Sequence, residues 1–203
     1  MFKTSYIFIF LILASLFGCT FVKADLTEQQ KESLLNPPSN VVDFVQRHLD
    51  SSLTFFENWG ETVSQEDIKH LSDCMKDKAS LLGVQSPETV EVVVTQYLPV
   101  PEKESELYDV YLKVASDLKD AGAITYGHRI YVKPLFSNSY SIILHELVHV
   151  MQYQKYGKKY FLRQYMIASQ LVQYHKIPFE AEAFIKVLSF SQAVPDKCEN
   201  LYM

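Results

Sequence analysis

The sequence predicts an α+β fold: a mostly helical domain with a small sheet or hairpin placed before its most distinctive helix. Most of the chain repeats apolar residues at helical spacing, whereas short runs rich in valine, isoleucine and tyrosine are typical of strands. No internal repeat, low-complexity tract or linker divides the chain. We therefore predict a single domain over residues 25–203, with a helical N-terminal region at 25–85 and a core region at 86–192.

Residues 1–24 are expected to be a signal peptide. Lys3 supplies a positive start, and the apolar run from Tyr6 to Phe17 is short for a membrane span. Small or apolar residues precede a cut after Ala24. An uncleaved anchor is one alternative, and a lipoprotein box at Leu16–Cys19 is another, although Phe17 suits that box poorly. We expect a secreted protein with no membrane span after cleavage.

The charge balance argues against nucleic acid or an anionic membrane as a partner. The formal net charge is −5, and removal of Lys3 and Lys23 makes it −7. Both kinds of partner need a basic face, and a net negative charge makes one less expected. We expect a monomer that acts on a peptide or protein.

The two cysteines that remain after cleavage, Cys74 and Cys198, are predicted to form a disulfide, as is usual in an exported chain. The alternative is that Cys74 binds a metal as an inhibitory thiolate, but nothing flanking it supports that reading.

The elements follow from periodicity and from breakers. Asn40, and Ser64 together with Asp67, resemble helix caps. Proline or glycine follows most of the elements, as in Pro37-Pro38, and Pro99 and Pro101 end the first strand. The predicted elements are a short helix or loose arm at 25–35, helices at 40–59 and 64–82, a strand at 89–98, a helix at 104–121, a hairpin at 123–126 and 129–133, and helices at 139–156, 159–174 and 179–191.

The most informative segment is His145-Glu146-Leu147-Val148-His149, which fits the pattern His-Glu-x-x-His. Histidines four residues apart lie on one face of a helix, so both imidazoles can reach one zinc ion. Glu146 can reach a water activated by that ion and take its proton. The alternative is an ordinary amphipathic helix with histidines at its polar edge. The apolar flanks 142–144 and 150–151 favour a buried helix and the metal site.

Catalytic zinc usually has three protein ligands. We predict Glu180 as the third, because Ala183 one turn later would let two helices approach closely. Glu182 lies about 200° away around the helix and is the alternative carboxylate. His175, in the loop before this helix, is a further alternative. A third histidine six residues after His149 is excluded, since that position is Lys155.

The segment from His145 to Gln152, followed by Ile177-Pro178-Phe179-Glu180-Ala181-Glu182-Ala183, resembles small zincin-type metallopeptidase domains of the gluzincin kind. In those domains the helix reads HELxHxxQ, and a Pro-x-Glu-x-Glu-Ala segment supplies the third ligand. Residues 124–131 also resemble the family's edge hairpin. The likeness covers roughly residues 122–190. It implies a zincin-like fold with one Zn²⁺ on His145, His149 and Glu180, and Glu146 as the catalytic base.

A secreted zinc metallopeptidase is the function we predict; the alternative is a binding or toxin-like module that keeps the fold without turnover. A peptide substrate is expected to add as a strand along residues 129–133. Tyr174 and His175 are candidate donors to the oxyanion or to a ligand. Gln152 is either a group that hydrogen-bonds a ligand or merely surface.

Overall fold

The computed structural model describes residues 26–108, residue 111 and residues 121–203. In these residues, the structure is mostly helical and contains one four-stranded mixed sheet, which confirms the mostly helical α+β class. We number the elements whose two ends are described: α1 Glu28–Leu35, α2 Ser39–Glu61, β1 Ile68–His70, α3 Asp73–Leu82, β2 Glu91–Val94, β3 Ala123–Tyr126, β4 Arg129–Val132, α4 Tyr140–Tyr156, α5 Lys158–Leu171 and α6 Pro178–Ala193.

The expected signal peptide lies outside the described residues. Most of the predicted helix at 104–121 also lies outside them, but residues 106–108 and 111 are described and helical. None of the described helices combines the length and apolar character that crossing a membrane requires.

The sheet has the order β1-β2-β4-β3, so β3 is an edge strand and β4 is interior. β4 pairs in parallel with β2 and antiparallel with β3. The turn between β3 and β4 uses Gly127 at a φ of 65°. The predicted addition of a peptide along residues 129–133 is therefore wrong, because the backbone of Arg129–Val132 is already paired on both sides.

The segment predicted as one helix from Ser64 to Leu82 is three elements. Gln65–Asp67 forms a 3-10 turn, and β1 then pairs with β2. The helix begins only after Ser72, whose hydroxyl accepts a hydrogen bond from the Met75 amide at 3.3 Å. The local signal at Ser64 was overridden by sheet pairing, which depends on residues far along the chain.

The remaining helix boundaries need small corrections. α2 begins after Pro38 with no side-chain cap, so Asn40 is inside the helix. α5 ends at Leu171, before a 3-10 turn at Tyr174–Lys176. Pro178 is at the first position of α6, as expected of a residue with no N–H to lose.

α4 is the central helix of the molecule. Leu144, Leu147 and Val148 are fully buried in the largest apolar cluster. α4 packs against β3 and against α3 and α6, while α2 packs against α5. The motif residues therefore lie on a helix whose position is fixed on several sides.

Cys74 and Cys198 form a disulfide that joins α3 to the segment after α6. Next to it, the Ser72 amide donates to the Leu201 carbonyl at 3.0 Å, and Leu71 forms a bridge with Tyr202. The predicted pairing is confirmed. The alternative of a Cys74 thiolate on a metal is wrong, because its sulfur is bonded to Cys198.

Candidate metal centre

His145 and His149 project from neighbouring turns of α4 towards one point. Their Nε2 atoms lie 3.1 Å apart. His149 is buried and His145 is only slightly exposed. Two imidazole nitrogens this close in a buried place indicate that both rings share a third partner.

That partner is Glu180, in the first turn of α6. Its Oε2 lies 3.0 Å from His145 Nε2, and its Oε1 lies 3.3 Å from His149 Nε2. The Glu180 side chain is only 3% exposed. Ala183, one turn further along α6, is fully buried where α6 packs on α4, and its small side chain lets the two helices approach closely.

The three residues fit a metal ion. Their ligand atoms all lie within 4.8 Å of one another. Tetrahedral zinc with bonds of about 2.0–2.1 Å requires ligand atoms about 3.3–3.4 Å apart, and the contacts above are 3.0–3.3 Å. Two imidazoles and one carboxylate form a donor set that suits zinc and several other divalent ions. The geometry thus supports a metal site without fixing which ion it holds.

A hydrogen-bond network through Gln152 orients the His149 ring. The buried Gln152 amide nitrogen donates to the Phe179 carbonyl and to Glu182 Oε2, each at 3.0 Å. Its Oε1 is left to accept from His149 Nδ1 at 2.8 Å. A proton on Nδ1 leaves the lone pair of Nε2 free to face the centre, an arrangement common in metal-binding histidines.

Glu180 is held by a residue that sequence reasoning missed. The Tyr165 hydroxyl, on α5, donates to Glu180 Oε1 at 2.9 Å. Burial raises the pKa of Tyr165 well above its usual value, and the charge of Glu180 adds to this effect. The phenol therefore remains a neutral donor. Tyr165 belongs to no local motif with Glu180, so no pattern in the sequence indicated it.

Charge compensates for the burial of the centre. Burial lowers the pKa of His149, but the Glu180 carboxylate outweighs this and raises that pKa to about 9. Burial would raise the pKa of Glu180, yet the charge of His149 and bonds from both histidines hold it well below its usual range. Without a metal the group is a buried ion pair, and a metal ion would replace the proton.

Glu146 is a second buried carboxylate at the same place, separate from the ligand group. Its Oε2 accepts a hydrogen bond from the Thr125 hydroxyl on β3 at 2.7 Å. With His149 and Glu180 it lines a cavity of about 120 Å³. Thr125 was also missed, because its partner is on another element.

The other predicted site residues occupy different places. Tyr174 lines the cavity, and burial followed by the charge of Glu180 raises its pKa well above the usual value. Glu182 hydrogen-bonds Gln152 and is outside the ligand group. His175 is half-buried and is also outside that group, as far as the described residues go. Phe184, one turn after Glu180, packs its ring 4.6 Å from that of His145. Its spacing from Glu180 was a usable sequence signal.

Comparison with protein-family models, curated proteins and solved structures gave no significant match. The chemical interpretation therefore rests on the geometry of these side chains.

Proposed function

We propose that this protein binds one Zn²⁺ through His145, His149 and Glu180 and hydrolyses peptide bonds, with Glu146 as general base. The observation that carries the proposal is a buried pair of imidazoles and one carboxylate with a second, separately held carboxylate on the same cavity. A purely structural metal site has no use for that second group.

A zinc ion bound there would supply Lewis acidity, which makes water acidic and polarises a carbonyl group. Glu146 then accepts the proton of the attacking water and returns it to the leaving amine. The hydrogen bond from Thr125 orients this carboxylate, leaving its other oxygen for the water. Gln152 and Tyr165 hold His149 and Glu180 in place.

Negative charge develops on the carbonyl oxygen during hydrolysis and needs a donor. Tyr174 is our candidate, because it lines the cavity and its raised pKa keeps its hydroxyl protonated. Tyr165, which donates to Glu180, lines the same cavity and is the second candidate.

We propose that the peptide substrate pairs with the edge strand β3 and not with residues 129–133. The Lys133 amide donates to the Gly122 carbonyl at 2.8 Å. Because bonded and non-bonded pairs alternate in an antiparallel ladder, the amides and carbonyls of Ala123 and Thr125 point away from β4. An extended peptide pairing with them would pass beside Glu146.

The experiment replaces Glu146 by Gln, which keeps the size of the side chain but cannot accept the proton. The variant should bind zinc normally and cleave an unfolded protein or a mixed peptide library about 10²–10⁴ times more slowly. Glu182→Gln is the matched control and should lose far less activity than Glu146→Gln. Equal cleavage by wild type and Glu146→Gln would refute the mechanism. Zinc binding without any cleavage by the wild type would favour the binding-module alternative.

We also propose that the protein is secreted after cleavage near Ala24. The Cys74–Cys198 disulfide supports this, because disulfides persist in oxidising compartments. N-terminal sequencing of exported protein should begin at Asp25, and an intact Met1 there would rule the proposal out.

A further inference from the structure

Tyr153, on α4, has a hydroxyl group that the fold itself does not use. The residue is only 6% exposed and lines the same cavity as Glu146. Its ring packs on those of Phe161 and Tyr126, with centroids 4.0 and 5.7 Å apart. Within the described part of the chain, no hydrogen bond involves its hydroxyl. A buried tyrosine usually has such a partner, so the position of this hydroxyl needs another explanation.

The hydroxyl of Tyr153 is open to the cavity. Among the described residues, the buried polar side-chain atoms that lack a partner and are sealed from solvent belong to Tyr140 and Gln170. Tyr153 is not one of these residues, although its hydroxyl also lacks a partner. Its hydroxyl is therefore reached from the cavity, which is where a bound molecule would meet it.

The position of Tyr153 on α4 directs this hydroxyl towards Glu146. Tyr153 follows Glu146 by seven residues, which is close to two turns, so both lie on one face of the helix. Side chains on a helix lean towards its N-terminus, and this brings the tyrosine hydroxyl back towards the turn that carries Glu146. Burial, and then the charges of Tyr126 and Glu146, raise the pKa of Tyr153 well above its usual value. The hydroxyl is thus a neutral donor beside the proposed base.

Two other tyrosines on the cavity are associated with the ligand carboxylate instead. Tyr165 donates to Glu180 Oε1 at 2.9 Å. Tyr174 also lies close enough to Glu180 for that charge to raise its pKa. Tyr153 therefore has surroundings that differ from those of both residues considered for the oxyanion.

An extended peptide in this cavity needs a donor that β3 does not supply. The lining includes Ile124 and Thr125, whose side chains point to opposite faces of the sheet, so the cavity follows the edge of β3. In a peptide paired with β3, the carbonyl and amide groups of alternate residues point away from that strand. A carbonyl buried there without a donor weakens binding.

We propose that Tyr153 binds the substrate backbone: its hydroxyl donates to a carbonyl that points away from β3, on a residue next to the bond to be cleaved. This role rests on the proposed function, since the peptide must lie along β3 beside Glu146. A bond to the backbone is independent of the peptide's side chains. The hydroxyl contacts a carbonyl that does not react, so the bond is equally strong before and during hydrolysis.

The first test measures the binding of hydroxamic acids, which chelate the metal, to zinc-loaded protein. Acetohydroxamic acid has no peptide carbonyl. The hydroxamic acids of N-acetylalanyl-alanine and of malonyl-alanine amide carry peptide carbonyls on opposite sides of the chelating group. Tyr153→Phe keeps the ring and should weaken binding of at least one peptide compound about 5–150-fold, the effect of leaving one buried carbonyl without a donor. Binding of acetohydroxamic acid should change less than about twofold, since it makes no such bond.

Tyr156→Phe is the matched control for this test. Tyr156 is also half-buried on α4, but it does not line the cavity. This variant should bind all three compounds as the wild type does. An equal loss for all three compounds in Tyr153→Phe, or the same loss in Tyr156→Phe, would overturn the assignment.

The second test is the division of the effect between KM and kcat in peptide hydrolysis. A bond made equally to the substrate and to the transition state affects KM and leaves kcat unchanged. Tyr153→Phe should therefore raise KM about 5–150-fold and change kcat less than about threefold. Tyr174→Phe, which removes the candidate donor to the oxyanion, should instead lower kcat. A fall in kcat at unchanged KM in Tyr153→Phe would refute a role in binding the backbone.

The outcomes separate this role of Tyr153 from the proposed function. If the wild type binds zinc and acetohydroxamic acid, and Tyr153→Phe matches it for every compound, the role fails and the metal centre stands. If the peptide compounds bind through Tyr153 but the wild type cleaves nothing, hydrolysis fails and the backbone contact stands. Failure of the wild type to bind zinc would overturn both.

Discussion

Replacing Glu180 by Ala should remove most of the zinc affinity, whereas Glu182→Ala should remove little. The two carboxylates are two residues apart on α6, yet their surroundings differ. Glu180 is buried, with its oxygens 3.0 and 3.3 Å from the two histidine nitrogens. Glu182 is half-buried and hydrogen-bonds Gln152, which in turn bonds His149. The same substitution therefore removes a ligand at one position and a distant support at the other.

The magnitude follows from the number of ligands. Structural zinc sites with four protein ligands bind with about 10–16 kcal/mol, or about 2.5–4 kcal/mol for each ligand. Loss of Glu180 should then weaken zinc binding about 10²–10³-fold, since about 1.4 kcal/mol corresponds to a factor of ten. Gln152 keeps its bond to the Phe179 carbonyl when Glu182 is lost. Loss of a group that hydrogen-bonds a metal ligand directly usually weakens metal binding about 10–100-fold. Glu182 supports His149 only at second hand, through Gln152, so we expect Glu182→Ala to weaken zinc binding by less than about tenfold.

The assay is competition for zinc against a chromophoric chelator at pH 7. Far-UV circular dichroism and an intact Cys74–Cys198 disulfide show that each variant is folded. His175→Ala is included and should behave like wild type. A greater loss on replacing Glu182 than Glu180 would show that the wrong carboxylate was chosen, and a loss confined to His175→Ala would indicate a different ligand set.

Three further outcomes are expected. Tyr165→Phe removes the bond to Glu180 Oε1 and should weaken zinc binding about 10–100-fold; unchanged affinity in the chelator assay would remove Tyr165 from the site. Zinc at about 100 times its dissociation constant should stabilise the fold by about 2.7 kcal/mol and raise the Tm by about 5–10 °C; a similar rise in Glu180→Ala would place the ion elsewhere. The disulfide joins cysteines 124 residues apart. On the chain-entropy model, replacing Cys74 and Cys198 together by Ser should lower the free energy of unfolding in urea by about 5 kcal/mol. A loss under about 1 kcal/mol would show that the hydrogen bonds of the C-terminal tail hold it in place without the disulfide.

Features that depend on near neighbours in the chain were predictable. The helix carrying His145 and His149 was placed correctly at 139–156, because apolar flanks and the absence of Gly and Pro are local signals. The preference for Glu180 over Glu182 used only the 100° rotation per residue and the small Ala183, and Glu180 is the carboxylate that lies within the ligand group. The disulfide followed from counting cysteines.

Features that depend on distant residues were mispredicted or missed. The short strand β1 was read as part of a helix, because its pairing partner lies in β2. β4 was taken for the strand beside the substrate, since a hairpin read from sequence does not reveal which of its strands pairs with a third.

By itself, then, the sequence determined the class of fold, the helix with its two histidines, and a short list of candidate third ligands, because each is encoded in the spacing of residues within a few turns. Only the tertiary structure decided that Tyr165 holds Glu180, that Thr125 holds Glu146, and that Phe55 of α2 walls the cavity beside them. Each of these contacts joins residues on different elements. The packing of those elements is set by burial over the whole domain, and no local pattern records it.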